Sequence, residues 1–305
     1  MQAIMESLLP VFLLIFLGYT FKLLRFPGDG FWEQADRFTY YALFPALFIY
    51  KLSNANLEGF EGTAFISSSL LAVAVLTVIL VILNRAWFHF SGAAFTSVYQ
   101  GAVRFNSYVF LALVSSLYGD QGLILAAFLI IFFVPVINIC CIGIFSIYAS
   151  EASLSPMSFI RSIIKNPLII SCFVGGVINF LGSGIWSPLN QTLAVLSSAA
   201  LPLGLLSVGV GLHLDQIKAA KLEIVIACLF KLLIFPVVIA GAAILLGVEG
   251  MALSVLVLFA ALPTASTSHI LSRELGGDVR LMSAIITLQT VLSMFTLMAV
   301  LSVTT

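Results

Sequence analysis

Two short runs hold most of the polar chemistry set inside apolar stretches of this chain: Arg104-Phe105-Asn106-Ser107-Tyr108 and Leu262-Pro263-Thr264-Ala265-Ser266-Thr267-Ser268. Pro263 removes one backbone donor and clashes with the preceding turn, so a helix running through it loses carbonyl partners near Ala260. Asn106 competes with the backbone for hydrogen bonds and favours a cap over a helix interior. Both runs are therefore expected to break a helix, with half-helices starting near Ser107 and Thr264. Each half-helix would present unpaired N–H groups and the positive end of its dipole, which suits an anion such as a carboxylate. Read without function, the same residues are a proline kink and two polar clusters that pack helices.

Other residue types add to this set. Arg104 and Lys231 are the basic residues deep in apolar segments, where each costs about 2.5–3.5 kcal/mol and is usually functional. Arg104 stands two residues before the break at Asn106 and could neutralise an anionic solute; Lys231 could serve likewise or snorkel to a boundary. Asn138 and Gln289 are isolated in apolar segments, where they either line a solute path or bond across helices. Thr264, Ser266 and Thr267 offer hydroxyls, Tyr108 a phenol, and Phe48 a wall opposite the breaks. His269, six residues past Pro263, is expected as an interfacial histidine. No carboxylate is embedded at comparable depth; Glu6 and Asp36 come closest. That argues against a carboxylate proton relay or a charged sodium site. The four cysteines lie in apolar runs without zinc-type spacing. No GxSxG, HExxH or Walker pattern occurs, so no enzyme, cofactor or metal is expected.

The elements that must position these residues follow from composition. Of 305 residues, 61% are hydrophobic and 9% charged, far below the ~25% charge of soluble domains. The chain reads as an all-α polytopic membrane protein. Apolar runs of bilayer length fall at about 5–24, 35–52, 63–83, 94–117, 121–148, 167–185, 191–211, 222–246, 249–272 and 281–302. The first lacks a basic leader and cleavage site and is taken as a retained span. Ten basic residues (Lys22, Arg25, Arg37, Arg85, Arg161, Lys165, Lys218, Lys221, Arg273 and Arg280) fall in alternate loops, against Lys51 in the others. By the positive-inside rule both termini lie outside the cell membrane. With Lys+Arg and Asp+Glu balanced at 13 each, nothing points to nucleic acid.

The chain also repeats itself. Pro10 and Gly18 return as Pro167 and Gly175, Pro45 as Pro202, and Asn106 as Pro263, all offset by 157 residues; Gly119-Asp120 returns as Gly277-Asp278 at 158. One register across the chain implies two five-helix repeats, 1–150 and 167–305, joined by a cytoplasmic connection, 151–166. Five spans is odd, so the second repeat is inverted, as in secondary transporters. The half-helix starts near Ser107 and Thr264, in the fourth and ninth spans, would then point toward each other at mid-membrane.

Leu9-Pro10 with Gly18-Tyr19, Phe44-Pro45-Ala46-Leu47, Leu201-Pro202-Leu203 with Gly209, and Leu262-Pro263-Thr264-Ala265 with Glu274-Leu275-Gly276-Gly277-Asp278 together resemble the auxin efflux carrier family. These are bacterial relatives of plant PIN-type exporters, and the resemblance covers nearly the full length. It implies the broad architecture of bile acid/sodium symporters, in which helices one, two, six and seven form a scaffold and the rest an elevator-type transport domain. A scaffold-mediated homodimer is allowed. Asn106 and Pro263 match the family's two crossing residues. Phe48 falls where plant members carry a pocket serine, and Asn138 where they carry a pocket tyrosine. Ser107 replaces the proline of the first crossing and Thr264 the asparagine of the second. The family points to organic anions, including malate-like dicarboxylates. The expectation is a secondary carrier for a small carboxylate such as a dicarboxylate or auxin-like acid, with the coupling ion, H+ or Na+, left open. The alternatives are a sodium-coupled symporter of the bile acid type and a membrane sensor that binds without transporting.

Overall fold

A computed structural model describes residues 2–28, 30–55, 62–149, 166–218 and 222–304. Glu58, Glu61, Arg161, Lys165 and Lys221, and nearly all of the expected connection 151–166, lie outside the described residues. Among the described residues every regular element is helical. The first are α1 (Gln2–Leu24), α2 (Phe31–Phe38), α3 (Phe44–Ser53), α4 (Gly62–Leu83), α5 (Gly92–Val103) and α6 (Ser107–Tyr148). They are followed by α7 (Pro167–Phe180), α8 (Ser187–Val210), α9 (Leu222–Leu229), α10 (Phe235–Leu245), α11 (Gly250–Ala261), α12 (Ser268–Glu274) and α13 (Val279–Thr304).

Six helical stretches (4–24, 62–88, 92–148, 187–210, 222–245 and 279–302) are long and apolar enough to cross a membrane. The stretch 92–148 holds two expected spans, divided at Gly119, whose φ of 60° and ψ of −144° interrupt α6. Of the other expected spans, the second is helical throughout, as α2, a π turn at Thr39–Leu43 and α3; the sixth is shorter and the ninth is broken. Pro167–Phe180 has 14 residues, and the ninth is split into α11 and α12.

Proline chemistry shapes two of the long segments. Pro45 and Pro236 lack the N–H that an α-helix would need, and each directly follows a π turn, Thr39–Leu43 and Phe230–Ile234. The wider turn lets the Phe44 N–H reach the Thr39 carbonyl, and the Phe235 N–H that of Phe230, so helical hydrogen bonding continues past each proline. The first turn carries Tyr40 and the second Lys231.

Packing sorts the helices into two groups. α1 packs along α8, and α3 along both α7 and α8. A Cβ on Gly18 would stand 2.0 Å from the Leu206 carbonyl oxygen, and one on Gly209 1.9 Å from that of Ile15. Only glycine permits so close an α1–α8 approach. The other group joins α4 to α10, α11 to α10 and α13, and α5 to α6, α9 and α13. Its centre is aromatic: Phe105, Phe110, Phe133 and Phe235 all meet the ring of Phe259 edge-on, the closest centroid at 4.5 Å.

Candidate substrate site at two interrupted helices

α5 stops at Val103 because Arg104 turns to extended backbone (φ −72°, ψ 160°), and α11 stops at Ala261 because Leu262 does the same (φ −69°, ψ 153°). Asn106 restarts the first segment. Its Oδ1 accepts from the N–H groups of Tyr108 at 3.0 Å and Val109 at 3.2 Å, a side-chain N-cap for α6. The second segment restarts at Ser268 without a side-chain cap; Thr267 holds its first position by a helical turn. The breaks are thus unequal, three residues against six.

The breaks touch. The Asn106 N–H donates to the Pro263 carbonyl at 2.9 Å, and the Asn106 amide donates to Ser266 Oγ at 3.2 Å. Behind them lies a frame of buried amides. Gln289 accepts at Oε1 from the Thr264 N–H at 2.9 Å, while its Nε2 donates to the carbonyls of Gly101 and Ala227, both at 3.0 Å. The Thr264 hydroxyl donates to the Gln100 carbonyl at 3.2 Å, and the Gln100 amide donates to Ser272 Oγ at 2.9 Å. The Thr264 N–H and the Gly101 carbonyl, freed by the two breaks, are thereby satisfied within the apolar interior, where an orphan polar group is costly.

In front of the breaks lie two adjoining cavities of about 90 and 150 Å³. Tyr40, Ser107, Leu168, Ala265 and Thr267 line both. Asn106, Tyr108, Phe44 and Ser266 complete the smaller. The larger is closed by Arg104, Asn138 and Asn166, with Arg104 Nη1 donating to Asn138 Oδ1 at 3.2 Å. Among the described residues no carboxylate lines either cavity. A guanidinium, a capped helix start, several hydroxyls and two asparagines converge on the same space.

The structure therefore brings together Arg104, Asn106, Ser107, Tyr108, Asn138, Ser266 and Thr267 at these cavities. Pro263 and Thr264 sit behind them as buried parts of the break. Gln289 is fully buried in the frame and lines neither cavity. Phe48 is buried one turn away from the wall; Phe44 takes the wall position and stacks on Tyr108 at 5.2 Å. Lys231 is enclosed within the helical core, its Nζ 4.6 Å from the Phe235 ring centroid and 5.6 Å from that of Phe259, with no hydrogen-bond partner.

Among the lining residues that escaped the sequence reading are Tyr40, Phe44, Asn166 and Leu168. Asn166-Pro167 was a readable signal, since Asn at an N-cap before Pro opens a helix; Asn166 Oδ1 does accept from the Leu168 N–H at 3.0 Å. Tyr40 had a weaker one, the Phe44-Pro45 pair that forces its π turn.

A polytopic bundle with two interrupted, touching helices and a polar cavity between them defines a membrane carrier rather than a soluble binding protein. The chain matches the membrane transport protein family over residues 3–301 and belongs to it, the auxin efflux carrier family. It is 25% identical over 295 residues to an "Uncharacterized transporter" of Methanothermobacter thermautotrophicus, covering 96% of this chain and 95% of the relative. It is 28% identical over 306 residues to a "Putative malonate transporter" of Rhizobium meliloti, covering 97% and 94%. It is accordingly a multi-pass membrane transporter.

Proposed function

We propose that this transporter is a secondary carrier for a small organic anion, a mono- or dicarboxylate, held at the cavities in front of Asn106 and Ala265–Thr267. One observation carries the reading: Arg104 lines the larger cavity with Asn138 as its hydrogen-bond partner and, among the described residues, no carboxylate in the lining. An anionic solute would complete its coordination. Ser107, at the start of α6, adds a hydroxyl and the positive end of the helix dipole. The relative named for malonate supports a carboxylate.

The carrier works by alternating access in the cell membrane, with both termini outside. Its halves, 1–150 and 167–305, are inverted repeats. The α1–α3, α7 and α8 group is the scaffold, suited to a homodimer contact, and the second group moves as an elevator. In this orientation Asn166 faces the cytoplasm, and the cavities are reached from that side. On the opposite side Lys51 pairs with Asp120 at 2.6 Å, joining α3 to the turn after Gly119.

Reconstituted protein is expected to take up radiolabelled malonate, succinate or a comparable carboxylate and to exchange it across the membrane. Saturable binding without counterflow would instead identify a sensor.

A further inference from the structure

The two substrate cavities differ in what they offer an acid. In the larger, Arg104 supplies a permanent positive charge, its Nη1 held by Asn138 Oδ1 at 3.2 Å. Among the described residues that line either cavity, Arg104 is the one cation. The smaller cavity is walled by Tyr40, Phe44, Tyr108 and Leu168, with the rings of Phe44 and Tyr108 stacked at 5.2 Å. Asn106 is already committed there, its amide to Ser266 Oγ and its Oδ1 to the start of α6. The side chains of Ser107, Ser266 and Thr267 offer hydroxyls, each able both to donate and to accept.

A carboxylate lies one cavity further on. Ser266 and Thr267 also line a third cavity, of about 150 Å³, whose lining holds Asp36 together with His213 and His269. The titratable groups facing the substrate cavities are thus Arg104, before α6, Tyr40, on the π turn before α3, and Tyr108, on α6. Asn166 and Leu168 at the start of α7, and Val134, Ile137 and Asn138 on α6, do not titrate. Behind Ser266 and Thr267 stand Asp36, on α2, His213, after α8, and His269, on α12.

We propose that this site takes acids as single anions: a dicarboxylate such as malonate binds as hydrogen malonate, its one carboxylate on Arg104 and its protonated carboxyl in the smaller cavity. The proposal rests on the carboxylate-carrier reading above. A second carboxylate would be buried among aromatic rings and hydroxyls without a counter-charge, and an ion enclosed in that way is strongly disfavoured. Keeping the proton is the milder demand, a factor of about ten in the available species for each pH unit above the second ionisation of the acid. A protonated carboxyl donates one hydrogen bond and accepts others, which matches hydroxyls that do both. No bond is made or broken in the crossing. The proton rides on the O–H of the substrate and dissociates after release into the more alkaline compartment. A pH gradient thereby drives dicarboxylate uptake without a titrating side chain in the protein, whereas an acid with one carboxylate moves without a proton.

The test is initial uptake of radiolabelled malonate and of its monomethyl ester, a fixed single anion of similar shape. Proteoliposomes are held at equal pH inside and out, and uptake into protein-free vesicles is subtracted. Between about pH 6 and pH 8 the KM for total malonate is expected to rise by a factor approaching ten per pH unit, while that for the ester stays level. Titration of Asp36, His213 or His269 would move both ligands together, so the difference between them reports the proton of the ligand itself. A pH-sensitive dye in the lumen should report acidification during malonate uptake and none during ester uptake. A malonate KM that is level with pH, or that moves in step with the KM of the ester, overturns the proposal and leaves the carboxylate site standing. If malonate, succinate and their monomethyl esters all fail to move at any pH, both readings fall.

Discussion

The Asn106 N–H and the Pro263 carbonyl, 157 residues apart in sequence, meet in a 2.9 Å hydrogen bond. Each comes from a helix that its own residues have interrupted, and the bond joins the two interruptions directly. Asn106 thus serves twice, bridging the breaks with its backbone and capping α6 with its side chain.

Replacing Asn106 by Ala removes the cap and the link to Ser266. The cap alone is worth about 1 kcal/mol, so Asn106→Ala should fold with a modestly lowered melting temperature and lose carboxylate flux. Thermal unfolding and flux measured on one preparation check both halves. Wild-type flux in this variant would remove the site from the crossing.

Arg104→Ala is expected to raise KM for a carboxylate by about 10- to 100-fold, corresponding to one charge-assisted bond of roughly 1.5–3 kcal/mol. Asn138→Ala, which only frees the guanidinium from its 3.2 Å partner, should have a smaller effect. Concentration-dependent uptake with each variant separates the two.

Gln289→Leu leaves the Thr264 N–H and the Gly101 and Ala227 carbonyls without their partner. At about 1–3 kcal/mol for each buried orphan, this is the largest stability loss expected from any single polar side chain at the crossing. Detergent-solubilised protein should show a sharply lower melting temperature. A loss no greater than that of Asn106→Ala would mean that the frame does not hold the breaks.

Lys231→Met should raise the melting temperature. The amine is fully buried with no hydrogen-bond partner among the described residues, and burying such a group costs free energy that an apolar side chain of similar length avoids. The ring faces of Phe235 and Phe259 offset part of that cost. A lowered melting temperature would mean that the amine stabilises the core.

Much of the site was legible because its residues contradict their surroundings. A proline in an apolar segment, an asparagine after an arginine, and hydroxyls in a row all stand out against 61% hydrophobic composition. Gly277-Asp278 was legible for the same reason. Asp278 Oδ1 accepts from the Leu281 N–H to start α13, while the Asp278 N–H donates to the Ala93 carbonyl at 3.1 Å, fastening the turn to α5. What sequence could not give was facing. Gln289, Asn138 and Lys231 look alike as lone polar residues in apolar runs, yet one is frame, one is wall and one is core. Phe44 and Phe48 differ by one helical turn, and the π turn before Pro45 decides which reaches the cavity. Asp36, near a span edge in sequence, is carried to a cavity wall because α2 packs on α8.

The amide frame has a consequence for ancestry. Gln289, Gln100 and Thr264 hold the breaks from behind without lining either cavity. Ser107, Ala265 and Thr267 face the cavities while the frame is held elsewhere. Substitutions among these three can therefore accumulate without unsettling the crossing. Lineages descended from one such transporter are free to exchange one solute for another through single mutations, with the crossing intact at each step.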